Sequence, residues 1–175
     1  MAGFVAGYSG TPLAKKLGIK DDFRVALLCV PDDVRSELQD ALSKCRVVKH
    51  TSGPLNFIFL FAKSVSELNR HLMPAAKALA PAGMLWISWP KKASGVATDL
   101  TGTIVREAGI AAGLVDVKVC AVTDIWSGLK FVIPVAKRLR LFDPATGRQG
   151  KGKATTHAKK AATGNHGRGW TREEL

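Results

Sequence analysis

The residues best suited to hold a ligand are Lys91 and Lys92, which follow Trp89-Pro90 and lead into Ala93-Ser94-Gly95. Two ammonium groups beside a hydroxyl and a small-residue turn suit a phosphate or a carboxylate, and an indole such as Trp126 offers a flat surface for stacking. Lys63 and Ser127 join them, because each lies at the margin of a strongly apolar run. A plainer reading leaves both lysines in water, lets Pro90 end a strand and packs Trp126 on a hairpin. The residues by themselves leave the two readings open.

Other reactive side chains are less well placed. Cys29 sits where a first strand ends and has the type of a nucleophile, but no histidine is set beside it in sequence, so a buried core thiol is expected. His50, His71, His157 and His166 show no zinc-type spacing with one another or with Cys29, Cys45 and Cys120, so no metal site is expected. Three widely spaced cysteines read as free thiols of a reducing cytoplasm. Asp32 with Asp33, and Asp99 near Glu107, read as helix caps and surface charge before acid–base pairs. In "GYSGTP" the glycines and Ser9 make either a phosphate-binding turn or a cap for the next helix.

The elements that must position these groups follow from the apolar pattern. Thr11-Pro12 to Gly18 reads as a short helix, with Thr11 as cap, Pro12 in the first position and Gly18 past the end. Arg24–Val30, Asn56–Ala62 and Met84–Trp89 are apolar without alternation, as strands covered on both faces are. Between them, Val34 to Leu42 has helical spacing capped by Asp32 or Asp33, and a short strand spans Cys45–Lys49. Val65 to Leu79 is a helix that Pro74 kinks or splits. A Pro81-Ala82-Gly83 turn precedes the third strand. A further helix begins at Thr98 or Asp99 and ends at Gly113. Val115–Val122 and Leu129–Ile133 close the pattern as an antiparallel hairpin over the link Thr123–Gly128.

This order gives a three-layer Rossmann-like α/β sandwich, with a mainly parallel sheet and a C-terminal antiparallel hairpin. Ligands of such sheets sit outside the carboxyl ends of the strands, which gathers Lys63, Lys91, Lys92, Ser94, Trp126 and Ser127 on one rim. The turn after the first strand is "CVPDDV". It lacks the glycines that let a backbone approach a dinucleotide or S-adenosylmethionine, Pro31 has no N–H, and its two carboxylates repel phosphate, so no cofactor is expected.

Charge divides the 175 residues. The chain carries 26 Lys and Arg against 14 Asp and Glu, and residues 137–175 alone hold ten basic and three acidic side chains. The expected organisation is an α/β domain over residues 1–136 and a basic flexible tail over 137–175. Lys151, Lys153, Lys159, Lys160 and Arg168, spaced by Gly, Ala and Thr, suit a phosphate backbone, and a merely solubilising tail is the competing reading. The start has no signal-peptide pattern and no apolar run is long enough to span a bilayer, so a cytoplasmic protein without membrane attachment is expected.

The segments "GYSGTPLAKKLGIK", "PAGMLWISWPKKASGVATDL", "REAGIAAGLVDVKVCAV" and "WSGLKFVIP" together resemble an uncharacterised bacterial family, catalogued as a domain of unknown function, over about residues 7–134. The resemblance implies a small stand-alone Rossmann-like protein and marks Lys91, Lys92, Ser94, Asp99, Trp126, Ser127 and Lys130 as signature positions without roles. The order of elements also resembles a shortened methyltransferase core.

Two functions follow as expectations. One is a non-enzymatic binding or regulatory protein whose tail makes weak, non-specific contact with nucleic acid. The alternative is an enzyme or sensor for a nucleotide-like or other anionic small ligand, held at the carboxyl edge near Lys91 and Trp126.

Overall fold

A computed structural model describes residues 11–141, apart from the side chains of Arg140 and Leu141. The chain divides into two units, residues 1–134 and 135–175. The first holds a six-stranded sheet in the order β2-β1-β3-β4-β6-β5. Its strands are β1 (Arg24–Leu28), β2 (Arg46–Val48), β3 (Leu55–Phe61), β4 (Leu79–Pro90), β5 (Val115–Ala121) and β6 (Trp126–Val132). β2, β1, β3 and β4 are parallel, and β6 runs antiparallel to both β4 and β5. The three apolar runs thus lie side by side in one direction. The hairpin inserts β6 between β4 and β5, so β5 points the same way as β4 and its turn falls at the carboxyl edge.

Helices α1 (Leu13–Leu17), α2 (Asp32–Glu37) and α3 (Gln39–Ser43) cover one face. Their Leu13, Leu17, Val34, Leu38 and Leu42 share a core with Phe57, Phe59, Phe61, Trp86 and Trp126. The three phenylalanines alternate along β3 and therefore point the same way. They meet edge to face at 5.9 and 4.6 Å, and Phe61 meets Trp126 at 4.8 Å. The indole N–H of the fully buried Trp86 donates to the Leu17 carbonyl at 2.9 Å, satisfying a helix-end acceptor and tying α1 down. α4 (Val65–Ala78) and α5 (Gly102–Ala111) cover the other face through Leu68, Leu72, Ala75 and Val105. The second unit contributes α6 (Val135–Leu141).

Several boundaries differ from the sequence reading. Pro12 takes the cap position of α1, with no side-chain cap from Thr11. Pro31 likewise precedes α2, so Asp32 and Asp33 are its first-turn residues, where carboxylates complement the helix dipole. Pro74 lies inside a continuous α4; it is exposed, so the Arg70 carbonyl that loses an amide partner has water within reach. β4 starts at Leu79 because the Pro81-Gly83 segment is an irregularity within a strand: Leu55 pairs with Leu79 and Phe57 with Met84. A Cβ on Gly83 would lie 2.5 Å from the Leu55 carbonyl oxygen, so this close approach needs glycine.

At the hairpin, Trp126, Ser127 and Gly128 belong to β6, paired with Pro90, Trp89 and Ser88, and the turn shortens to residues 122–125. α5 begins after Thr101, whose hydroxyl accepts from the Ile104 amide at 3.2 Å. Thr98 and Asp99 are therefore loop residues. Among the described residues no helix is long and apolar enough to cross a membrane.

Candidate functional site

After β1 the chain adds β2 on one side and then β3 on the other, which opens a crevice at the carboxyl ends of β1 and β3. A cavity of about 510 Å³ occupies it, within the range of small-ligand sites. Its wall comes from six places. Cys29 and Pro31 follow β1, and Asp33 is on α2. Phe61, Ala62 and Lys63 end β3, and Glu67 is on α4. Val96 comes from the β4–α5 loop, and Ile125 and Trp126 from the hairpin. The phenylalanine row of β3 thus ends at the cavity, where Phe61 and Trp126 form an apolar floor and Asp33, Glu67 and Lys63 supply charge.

Hydrogen bonds fix the opening segment of α4. The Ser64 hydroxyl accepts from the Glu67 amide at 3.1 Å, and the Glu67 carboxylate reaches back to the Lys63 amide at 2.7 Å, an arrangement close to a capping box. Asp99 accepts from the Val65 amide at 2.8 Å, and the Thr98 hydroxyl donates to the Lys63 carbonyl at 2.6 Å. Asp99 is read from sequence as a starter of its own helix; it serves instead as a cap on α4. The loop carrying Lys91 to Asp99 is thereby fastened to the end of β3.

Of the six rim residues expected from sequence and the two further signature positions, Asp99 and Lys130, only Lys63 and Trp126 line the cavity. Trp126 is 7% exposed and lies edge-on to Phe61, so it is a floor and not a free stacking wall. Lys91 is at the same edge, since its amide donates to the Ile125 carbonyl at 2.7 Å, but its side chain and that of Lys92 are not in the cavity wall. Ser94 closes a turn by donating to the Lys91 carbonyl at 2.6 Å. Ser127 pairs with Trp89 and Ala121. Lys130 is in mid-strand opposite Trp86 and Lys118, four residues and so about 13 Å along β6 from Trp126.

Sequence reasoning missed one wall of the cavity. Cys29 is exposed, with φ of +57°, and its Sγ lies 3.8 Å from Nε2 of His71. The expected buried core thiol is thus corrected: positive φ at the end of β1 turns the side chain out of the sheet. Glu67 and His71 are one helical turn apart on α4, an i, i+4 spacing that is the one sequence signal for a shared face. Burial pushes the thiols of Cys45 and Cys120 above their ordinary range, in Cys120 against the opposing pull of Lys118, Lys16 and Lys91. Among the described residues no cluster of His, Cys, Asp and Glu is arranged to hold a metal ion.

Solved structures share this fold, several of them methyltransferases. CalO1, a methyltransferase in calicheamicin biosynthesis seen with SAH bound, matches with a TM-score of 0.52 at 12% identity, over 70% of this chain and 52% of its own. This chain therefore spans about half of CalO1. Magnesium protoporphyrin IX methyltransferase from Synechocystis PCC 6803, with bound SAH, matches at 0.48 and 10% over 70% of this chain and 78% of its own. The fibrillarin pre-rRNA processing protein of Methanococcus jannaschii matches at 0.44 and 14% over 69% and 73%. At such identities the likeness is one of fold. No curated protein matches the sequence.

The likeness corrects one expectation. A non-enzymatic binding or regulatory protein attached to nucleic acid by its tail does not fit a chain whose fold is shared with enzymes. The residues assigned to that contact, Lys151, Lys153, Lys159, Lys160 and Arg168, lie outside the described residues, as do Gly7, Ser9 and Gly10 of the N-terminal turn. The family description of DUF3052, a protein of unknown function, matches residues 14–135, most of the 175-residue chain, and the protein belongs to that family.

Proposed function

We propose that the protein is an enzyme or sensor of a nucleotide-like small ligand, bound in the cavity between Cys29, Asp33, Lys63, Glu67 and Trp126. The observation that carries this reading is the position of the cavity at the point where the strand order reverses. Its wall favours a ligand with a flat apolar part over Phe61 and Trp126. Hydroxyl or cationic groups would face Asp33 and Glu67, and an anionic group would face Lys63. Two carboxylates against one ammonium make a bare phosphate or carboxylate a poor match, so the nucleoside portion is the main determinant. Three free thiols among the described residues agree with a cytoplasmic site of action.

The test is thermal unfolding against a panel of adenosine, ATP, S-adenosylmethionine, SAH and sugar phosphates. A ligand at 100 times its Kd adds about 2.7 kcal/mol. Asp33→Asn and Lys63→Ala, both exposed positions, should weaken that stabilisation, while Lys91→Ala with Lys92→Ala should leave it unchanged. A hit that persists unchanged in the first two variants, or a panel without any hit, overturns the reading.

A further inference from the structure

We propose that Cys29 and His71 form a nucleophile and its base, which accept an alkyl group from a positively charged donor seated in the cavity; this rests on the reading of that cavity as a small-ligand site. Three separate features meet at Cys29. Its side chain is exposed and forms part of the cavity wall. Its Sγ is within hydrogen-bonding range of the His71 ring, at 3.8 Å from Nε2. Its backbone holds a φ of +57°, a left-handed conformation that residues other than Gly, Asn and Asp seldom adopt. That conformation occurs where β1 ends and the thiol leaves the sheet.

The charge on the wall selects the class of electrophile. Asp33 and Glu67 outnumber Lys63, so a carbonyl under attack would place its developing negative oxygen among carboxylates. A sulfonium or ammonium donor instead brings positive charge that the carboxylates attract, and its reaction places no negative oxygen beside them. With the neutral imidazole protonated on Nδ1, Nε2 takes the proton from the thiol. The sulfur electron pair forms the new S–C bond. The bond from that carbon to the onium atom breaks, its pair stays with the departing atom, and the leaving group is neutral. The proton and the positive charge remain on His71.

Site-resolved labelling of the full chain with iodoacetamide tests the pair, and prolonged incubation with S-adenosylmethionine followed by peptide mass analysis tests the donor class. Cys29 should label at least about tenfold faster than Cys45 or Cys120 at neutral pH. His71→Gln, which preserves bulk but cannot take up a proton, should remove most of that advantage. A methyl group should appear on Cys29 and not in His71→Gln. Equal labelling of the three thiols, or full reactivity in His71→Gln, overturns the pair. Fast labelling with no methyl transfer overturns the donor class. Neither result depends on the ligand panel: a panel hit that survives in Cys29→Ser leaves the cavity reading standing when the pair fails, and rapid His71-dependent labelling without any panel hit does the reverse.

Discussion

Gly109 is the point at which a single added carbon should be felt most. It lies in α5 against β6, and a Cβ there would fall 2.1 Å from Cε1 of Phe131, 2.5 Å from Cζ and 2.6 Å from Cδ1. Ordinary contact begins at 3.4 Å, so the ring or the helix must retreat by 1.3 Å. Phe131 is fully buried, and a close-packed interior gives little room for that movement. Overpacking of this kind costs about 1–3 kcal/mol, and this contact belongs at the upper end. Alanine recovers about 1 kcal/mol in helix propensity. Gly109→Ala should therefore lose about 2 kcal/mol net, a fall of roughly 4–8 °C in Tm for a chain of this size. Urea unfolding of Gly109→Ala, Phe131→Leu and the double variant is the assay. The smaller ring-free side chain should relieve the clash, so the double variant should be more stable than the sum of the single losses predicts. An unchanged midpoint in Gly109→Ala, or strict additivity, would refute the packing argument.

Two further predictions concern polar groups held inside or near the core. The Ser88 hydroxyl is fully buried and has no hydrogen-bond partner among the described residues, so Ser88→Ala should raise stability by about 1 kcal/mol, measured by urea midpoint; a loss would mean that the hydroxyl has a partner. The thiols of Cys45 and Cys120 are held above their ordinary pKa by burial, so the folded state binds their protons more tightly than the unfolded chain does. Their contribution is complete at neutral pH and is lost as pH climbs through the alkaline thiol range; Cys45→Ser with Cys120→Ser should flatten that decline, and an identical pH profile in the double variant would count against burial as the cause.

The sheet was legible because β1, β3 and β4 are continuous apolar runs of strand length, the pattern of strands covered on both faces. The site was legible in location and not in composition. Lys91 and Lys92 are at the expected edge, yet Val96 represents their loop in the cavity wall, because side-chain direction in an irregular segment is set by turns such as the one Ser94 closes. Asp99 was read through its sequence neighbours, while its partner is Val65, 34 residues away. Cys29 has no histidine beside it in sequence; His71 is 42 residues distant, a separation that the fold closes without leaving any local trace.

The start of α4 carries a consequence for discrimination among ligands. The amides of Lys63, Val65 and Glu67 are already taken by Glu67, Asp99 and Ser64. Helix entrances of this kind commonly greet phosphate with unengaged N–H groups, but here a visiting phosphate would have to evict two resident carboxylates. Prior occupancy thus works as a sieve: triphosphates should compete poorly with uncharged or cationic nucleosides of the same base.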